Sequence, residues 1–257
     1  MFNRRLLISI AFTSLLSACA TSPDSAVQDA LLAAAQTNTR LGIEYLRTGQ
    51  LDKSRDRLER AISQAPDYPG AHEAIAVLYE QVGDLAQAEK HYRKALSLEP
   101  ENGSALNNYG QFLCKSQRIS EAEEKFSRAV NNPYYRTPWV PQTNAGICMM
   151  GVPDNQRAEE YLRQALKNRP DYAPALLTMG MISYDEGNYL STRAYLQRYQ
   201  ENSESTPESL WLAIRTEYAL KDHQAWGNYA LKLRNEFPDS EQFRLLQEWE
   251  NERRFGN

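Results

Sequence analysis

The sequence predicts an all-α fold, a superhelix (α-solenoid) of about six helix–turn–helix repeats closed by a C-terminal capping helix. Three observations carry this reading. Pro66, Pro100, Pro170 and Pro238 each end a helical pattern, the first two 34 residues apart and the last two 68, twice that interval. Small and large apolar residues recur in the same order within each interval, the mark of units that bury a core only by stacking on their neighbours. The composition, 42% hydrophobic and 24% charged with 15 Tyr, is that of a chain able to build such a core.

The repeats run near 35–68, 69–102, 103–136, 139–172, 173–206 and 207–240, and residues 241–254 read as the closing helix. The first repeat offers Leu41, Gly42, Tyr45, Leu58, Ala61 and Pro66, and the second Ile75, Ala76, Tyr79, Ala88, Tyr92, Ala95 and Pro100. The third has Tyr109, Gly110, Leu113, Ala122, Phe126 and Ala129, and the fourth Ala145, Gly146, Ala158, Leu162, Ala165 and Pro170. Met179, Gly180, Thr192 and Leu196 mark the fifth; the sixth is degenerate, with Ala213, Trp226, Ala230, Leu233 and Pro238. This is the tetratricopeptide pattern, W-x2-L-G-x2-Y, then A-x3-F, then P. Small residues at the eighth and twentieth positions let the paired helices approach. Large ones at the seventh, eleventh and twenty-fourth fill the space between. Proline ends the second helix, because it cannot continue one and restricts its predecessor. Gly49, Gly83 and Gly187 fall in the turns between helices, where a positive φ is expected.

The start of the chain reads differently. Arg4 and Arg5 precede an apolar run, Leu6 to Leu16, of 11 residues. A bilayer span needs roughly 20 residues, so this is the shape of a secretory signal peptide instead. Leu16-Ser17-Ala18-Cys19 resembles the bacterial lipobox, in which cleavage falls just before a cysteine that then carries lipid. The expected division is therefore 1–18 signal peptide, 19–34 lipidated N-terminus, polar tether (Thr21–Ser25) and leading helix (Ala26–Ala34), and 35–257 repeat domain. A single acyl chain holds a membrane only marginally; lipoproteins of this resemblance carry three. By the family rule, Ala20 in place of Asp directs the protein to the outer membrane, on its periplasmic face.

The period slips by two residues between the third and fourth repeats, within Asn131–Pro141, "NNPYYRTPWVP". Two readings stay open there: a rigid corner whose rings pack on the repeat ends, or a partner-contacting loop presenting Tyr134, Tyr135 and Trp139. Beyond Cys19 the cysteines are Cys114 and Cys148, at the twelfth and tenth positions of consecutive first helices. Such helices lie side by side in a solenoid, and the periplasm is oxidising, so a disulfide is open to them; two buried free thiols are the alternative.

No constellation for catalysis is present: no HExxH, no metal-spaced Cys/His cluster, no phosphate-binding loop and no nucleophile elbow. The three histidines, His72, His91 and His223, are far apart in sequence. The expectation is a protein that is not an enzyme, with no cofactor beyond the lipid on Cys19, no metal and no small-molecule substrate. A net charge of −4 without a Lys/Arg block argues against nucleic acid. What remains is protein binding. In the usual geometry of this repeat, positions two, five, nine, twelve and thirteen face a groove. Those positions include Ile43 and Leu46 of the first repeat, Val77 of the second, and Asn107, Gln111 and Cys114 of the third. Ile43 and Leu46 are candidate contacts unless the leading helix folds over them. The Lys/Arg–Asn clamp that grips a C-terminal carboxylate is missing.

"LNNYGQFLC" (Leu106–Cys114), "NNPYYRTPWVPQTNAGIC" (Asn131–Cys148), "LQRYQ" (Leu196–Gln200) and "PESLWLAIR" (Pro207–Arg215) resemble the PilF/PilW lipoproteins of type IV pilus biogenesis. The resemblance covers nearly the whole mature chain. It implies a pilotin: a lipid-anchored partner of the type IV pilus secretin that promotes its outer-membrane localisation and multimerisation, and hence twitching motility. A lipidated repeat subunit of the outer-membrane β-barrel machinery and an adaptor for peptidoglycan enzymes are the alternatives.

Overall fold

The computed structural model describes residues 23–151 and 155–255. Within them lie thirteen α-helices and no strand: α1 (Pro23–Arg47), α2 (Leu51–Gln64), α3 (Pro69–Gln81), α4 (Leu85–Leu98), α5 (Gly103–Lys115), α6 (Ile119–Asn131), α7 (Trp139–Met149), α8 (Asn155–Asn168), α9 (Ala173–Asp185), α10 (Tyr189–Asn202), α11 (Pro207–Ala219), α12 (His223–Glu236) and α13 (Glu241–Phe255). The chain divides into two compact units, Met1–Tyr68 and Pro69–Asn257. The expected signal peptide and lipidated Cys19 lie outside the described residues.

In the first unit α1 pairs with α2. Ser54, buried, donates its hydroxyl to the carbonyl of Gly42 at 2.8 Å. A Cβ on Gly42 would fall 2.6 Å from Leu58, so glycine sets how closely the helices approach. The expected break between a leading helix and the first repeat is not there. Residues 23–47 form one continuous helix, because "ALLAAAQ" is a run of strong helix formers with no glycine or proline to stop it. The helix also takes in Pro23 to Ser25, part of the expected tether; proline is accommodated in a first turn. α1 therefore outruns the 14-residue α2.

In the second unit α3/α4, α5/α6, α7/α8, α9/α10 and α11/α12 are packed pairs, and each first helix touches the first helix of the next pair, ending with α11 against α13. Tyr92, Phe126, Leu162 and Leu196 fill the interiors at the twenty-fourth position. The sixth repeat is degenerate in sequence but pairs in the same way. Its seventh and twenty-fourth positions carry the small Ala213 and Ala230, while the eighth and twentieth carry Ile214 and Trp226. Large and small have traded places, and total volume, which packing demands, is kept.

Gly83 and Gly187 have φ of +82° and +76°, as expected of the turns. Gln117 and Lys221 adopt the same left-handed conformation, with φ of +61° and +62°. In all four turns the following N–H returns to a carbonyl five residues back, as in Arg118 N–H to Leu113 at 2.9 Å and Asp222 N–H to Glu217 at 2.9 Å. That bond satisfies a helix-end carbonyl whichever residue supplies the turn.

Candidate functional site

α1 leaves apolar side chains exposed on either flank of the stripe that packs on α2, while the side turned away carries polar residues such as Gln36, Arg40 and Glu44. Val27, Leu31, Leu32, Leu41 and Ile43 are exposed, Ile43 by 41%, and Leu46 is half-buried. Because α1 is a single helix, its N-terminal turns cannot fold back over Ile43 and Leu46, which removes the alternative that a leading helix covers them.

The first helices of the second unit present a more polar row. Val77 is half-buried at the edge of a surface depression of about 640 Å³ lined by Val77, Glu80, Gln81, Leu85, Phe112 and Lys115. Glu80 is held on two sides there: Tyr92 donates its hydroxyl at 3.0 Å and Lys115 its ammonium at 2.7 Å. One step along the row, Glu73 accepts from Ser104 at 2.6 Å and Asn108 at 2.7 Å. Burial pushes its carboxyl up from the usual range, and these two hydrogen bonds only partly offset that.

Asn107 continues this chain instead of facing a partner. It is 5% exposed, accepts from Asn144 at 2.8 Å and donates to Asn108 at 3.3 Å. The expected contact is thus a buried polar link between α5 and α7, since an amide at that depth must find partners inside the protein. Gln111, one turn further, is half-buried.

The aromatic corner splits. Tyr134 is 89% exposed. Tyr135 turns inward and lies on Gly103, where a Cβ would come within 2.5 Å of its ring. Trp139 packs beside the cluster around Met149, Leu162 and Met179, with the Arg169 guanidinium 5.4 Å from its ring centroid. Two of the three rings therefore fix the corner, because packing them on the repeat ends buries apolar area that display would leave in water. Tyr134 alone is presented.

Cys114 and Cys148 are joined by a disulfide, with Cα atoms 5.8 Å apart. The structure also unites residues far apart in sequence: His72 and His91 face each other with Nδ1 atoms 2.9 Å apart. Burial, then the nearby His72 and Lys90, hold His91 down from 6.5 to about 4. Their positions, fourth and twenty-third of one repeat, lie on facing helices, and that spacing is the signal that would have paired them. Among the described residues no group of three His, Cys, Asp or Glu side chains is placed to hold a metal, and no helix is long and apolar enough to cross a membrane.

Comparison with known proteins fits this geometry. The chain is 28% identical over 207 residues to the type IV pilus assembly protein PilF of Pseudomonas aeruginosa, covering 80% of this chain and 82% of that one. A solved structure of PilW, described as a widely conserved type IV pilus biogenesis factor, superposes with a TM-score of 0.74 at 28% identity, over 83% of this chain and 98% of that one. A structure of Pseudomonas aeruginosa PilF gives 0.73 at 27% identity, over 86% and 98%. The tetratricopeptide-repeat pattern matches residues 39–96, 74–136 and 154–209, more than half of the sequence, and the helix pairs carry its packing. This chain belongs to the tetratricopeptide-repeat family.

Proposed function

We propose that this protein acts in type IV pilus biogenesis as an outer-membrane lipoprotein, anchored through Cys19, that binds the pilus secretin and promotes its localisation and multimerisation. The observation that carries the reading is the likeness to PilF and PilW, which extends over four-fifths of the chain and nearly all of the solved relatives. The lipobox supports the anchor, and the exposed Ile43 with the half-buried Leu46 supplies an apolar contact on α1. The mechanism is physical. Anchoring confines the protein to the membrane surface and raises the effective concentration of bound secretin subunits there. Proteins bind through such repeats without chemistry of their own.

The deciding experiment is deletion of the gene, followed by assay of secretin multimers, surface pili, twitching and viability. Loss of multimers and twitching with normal growth is expected, restored by the wild-type gene. Cys19→Ala restores neither and leaves the outer-membrane fraction, although the repeats still fold. Normal multimers and twitching in the deletion strain would refute the reading. A growth defect with intact pili would point to the β-barrel machinery instead. Ile43→Glu, at an exposed position, should keep helical content and lower the multimer yield.

A further inference from the structure

Arg215, in α11, is placed unlike the other half-buried arginines of the second unit. Arg118 and Arg193 hold carboxylates, Arg198 holds the carbonyl of Pro170, and Arg128 holds both a carboxylate and a carbonyl. Arg215 has no such partner among the described residues, and its Nε is buried without a hydrogen bond. Its guanidinium is set between two rings instead, 4.5 Å from the centroid of Tyr184 on α9 and 5.6 Å from that of Trp211 one turn back on α11.

The surroundings extend this arrangement. Leu177 and Met181 lie on the same helix as Tyr184 and are half-buried beside Leu212 and Ala213. Trp249 of α13 meets Trp211 edge-on at 6.1 Å and Tyr218 at 4.7 Å. The result is an aromatic and apolar surface carrying one uncompensated cation, in a chain whose net charge is −4. Burying the Arg215 Nε without an acceptor is unfavourable, and the ring contacts return only part of that. The guanidinium fork matches a carboxylate bidentately, and aromatic rings around an arginine are a common make-up of binding hot spots.

We propose that Arg215, flanked by Tyr184 and Trp211, receives the acidic side chain of a partner protein at a position where apolar residues flank the acid on the partner's chain. Charge complementarity selects the carboxylate, and Leu177, Met181 and the rings select the apolar flanks. The site stands apart from the secretin reading and can fail or hold without it.

The test uses the full-length protein in detergent. The ¹⁵N–¹H signal of Arg215 Nε is identified by its absence in Arg215→Lys. It is followed during titration with the blocked peptide Ac-Leu-Glu-Leu-NH₂. Ring currents place the signal upfield at the start. A saturable downfield movement is expected, with affinity at least about fivefold above that of Ac-Leu-Gln-Leu-NH₂. Arg215→Gln should abolish the Glu/Gln preference measured by tryptophan fluorescence, and Tyr184→Leu should reduce it. Equal responses to the two peptides, no response, or tighter binding of Ac-Leu-Leu-Leu with a free C-terminus would each overturn the proposal.

Discussion

Cys114 and Cys148 are bonded across the one place where the 34-residue period slips, joining α5 to α7 with their Cα atoms 5.8 Å apart. The two extra residues fall in the connection after α6, so the helices keep their neighbours while Cys148 moves from the twelfth position to the tenth. The bond therefore ties the third and fourth repeats where their linker is least regular. Opening a loop of 34 residues returns conformational entropy to the unfolded chain worth about 3–4 kcal/mol. Cys114→Ser with Cys148→Ser should lower the unfolding free energy, read from denaturant melts, by an amount in that range. Reductant should shift the wild type likewise and leave the double variant unmoved. Equal midpoints for wild type and double variant would show that α5 and α7 need no bond.

Two glycines should respond differently to alanine. At Gly110 a Cβ would lie 2.7 Å from the Phe126 ring, so Gly110→Ala forces α5 and α6 apart, at about 1–3 kcal/mol. Phe126→Leu should recover part of that loss in a double-mutant cycle. Gly187 has open space around its α-carbon but a φ of +76°, so Gly187→Ala loses about 1–2 kcal/mol through the backbone alone. Asparagine, which tolerates that conformation, should recover most of it at 187 and none at 110. Chemical denaturation of the six variants reads all of this.

Stability should fall with acidity in a window set by His91. Its folded pKa, about 4, lies below the unfolded 6.5, so the unfolded state binds more protons between those values. The contribution is complete above about pH 6.5 and is lost as pH falls towards about 4. His91 is partly solvent-exposed, and screening reduces the effect to about 1 kcal/mol. Urea midpoints at pH 7.5, 5.5 and 4 should drop more steeply for the wild type than for His91→Gln. Parallel profiles would assign the acid sensitivity elsewhere.

The corner makes a prediction of its own. Tyr135→Ala removes a ring lying on Gly103 and should lower stability by about 1–3 kcal/mol, whereas Tyr134→Ala, on an exposed ring, should stay within about 0.5 kcal/mol. If Tyr134 serves the partner, its variant keeps the melting temperature and lowers secretin multimers. A Tyr134→Ala strain with full multimers would leave the corner a purely structural device.

The repeat architecture was readable because its causes are local. Proline cannot continue a helix beyond its first turn, and small residues opposite large ones set a period that needs no knowledge of the rest of the chain. Gly83 and Gly187 were legible for the same reason, while Gln117 and Lys221 were not, since a residue that bears the left-handed conformation under tertiary duress carries no mark of it. The volume exchange in the sixth repeat was equally hidden, because Ala213, Ile214, Trp226 and Ala230 make sense only as facing partners.

By itself, then, the sequence determined an all-α array of paired helices, its period and its irregular corner. The tertiary structure decided which side chains are available. It buried Asn107 in a network reaching from Glu73 to Asn144, turned Tyr135 in and Tyr134 out, bonded Cys114 to Cys148, and left Arg215 between two rings without an anion. The reason is physical. Period and helix ends follow from neighbours along the chain, but burial, pairing and the charge left unmatched follow from neighbours in space, and these meet only when the helices stack.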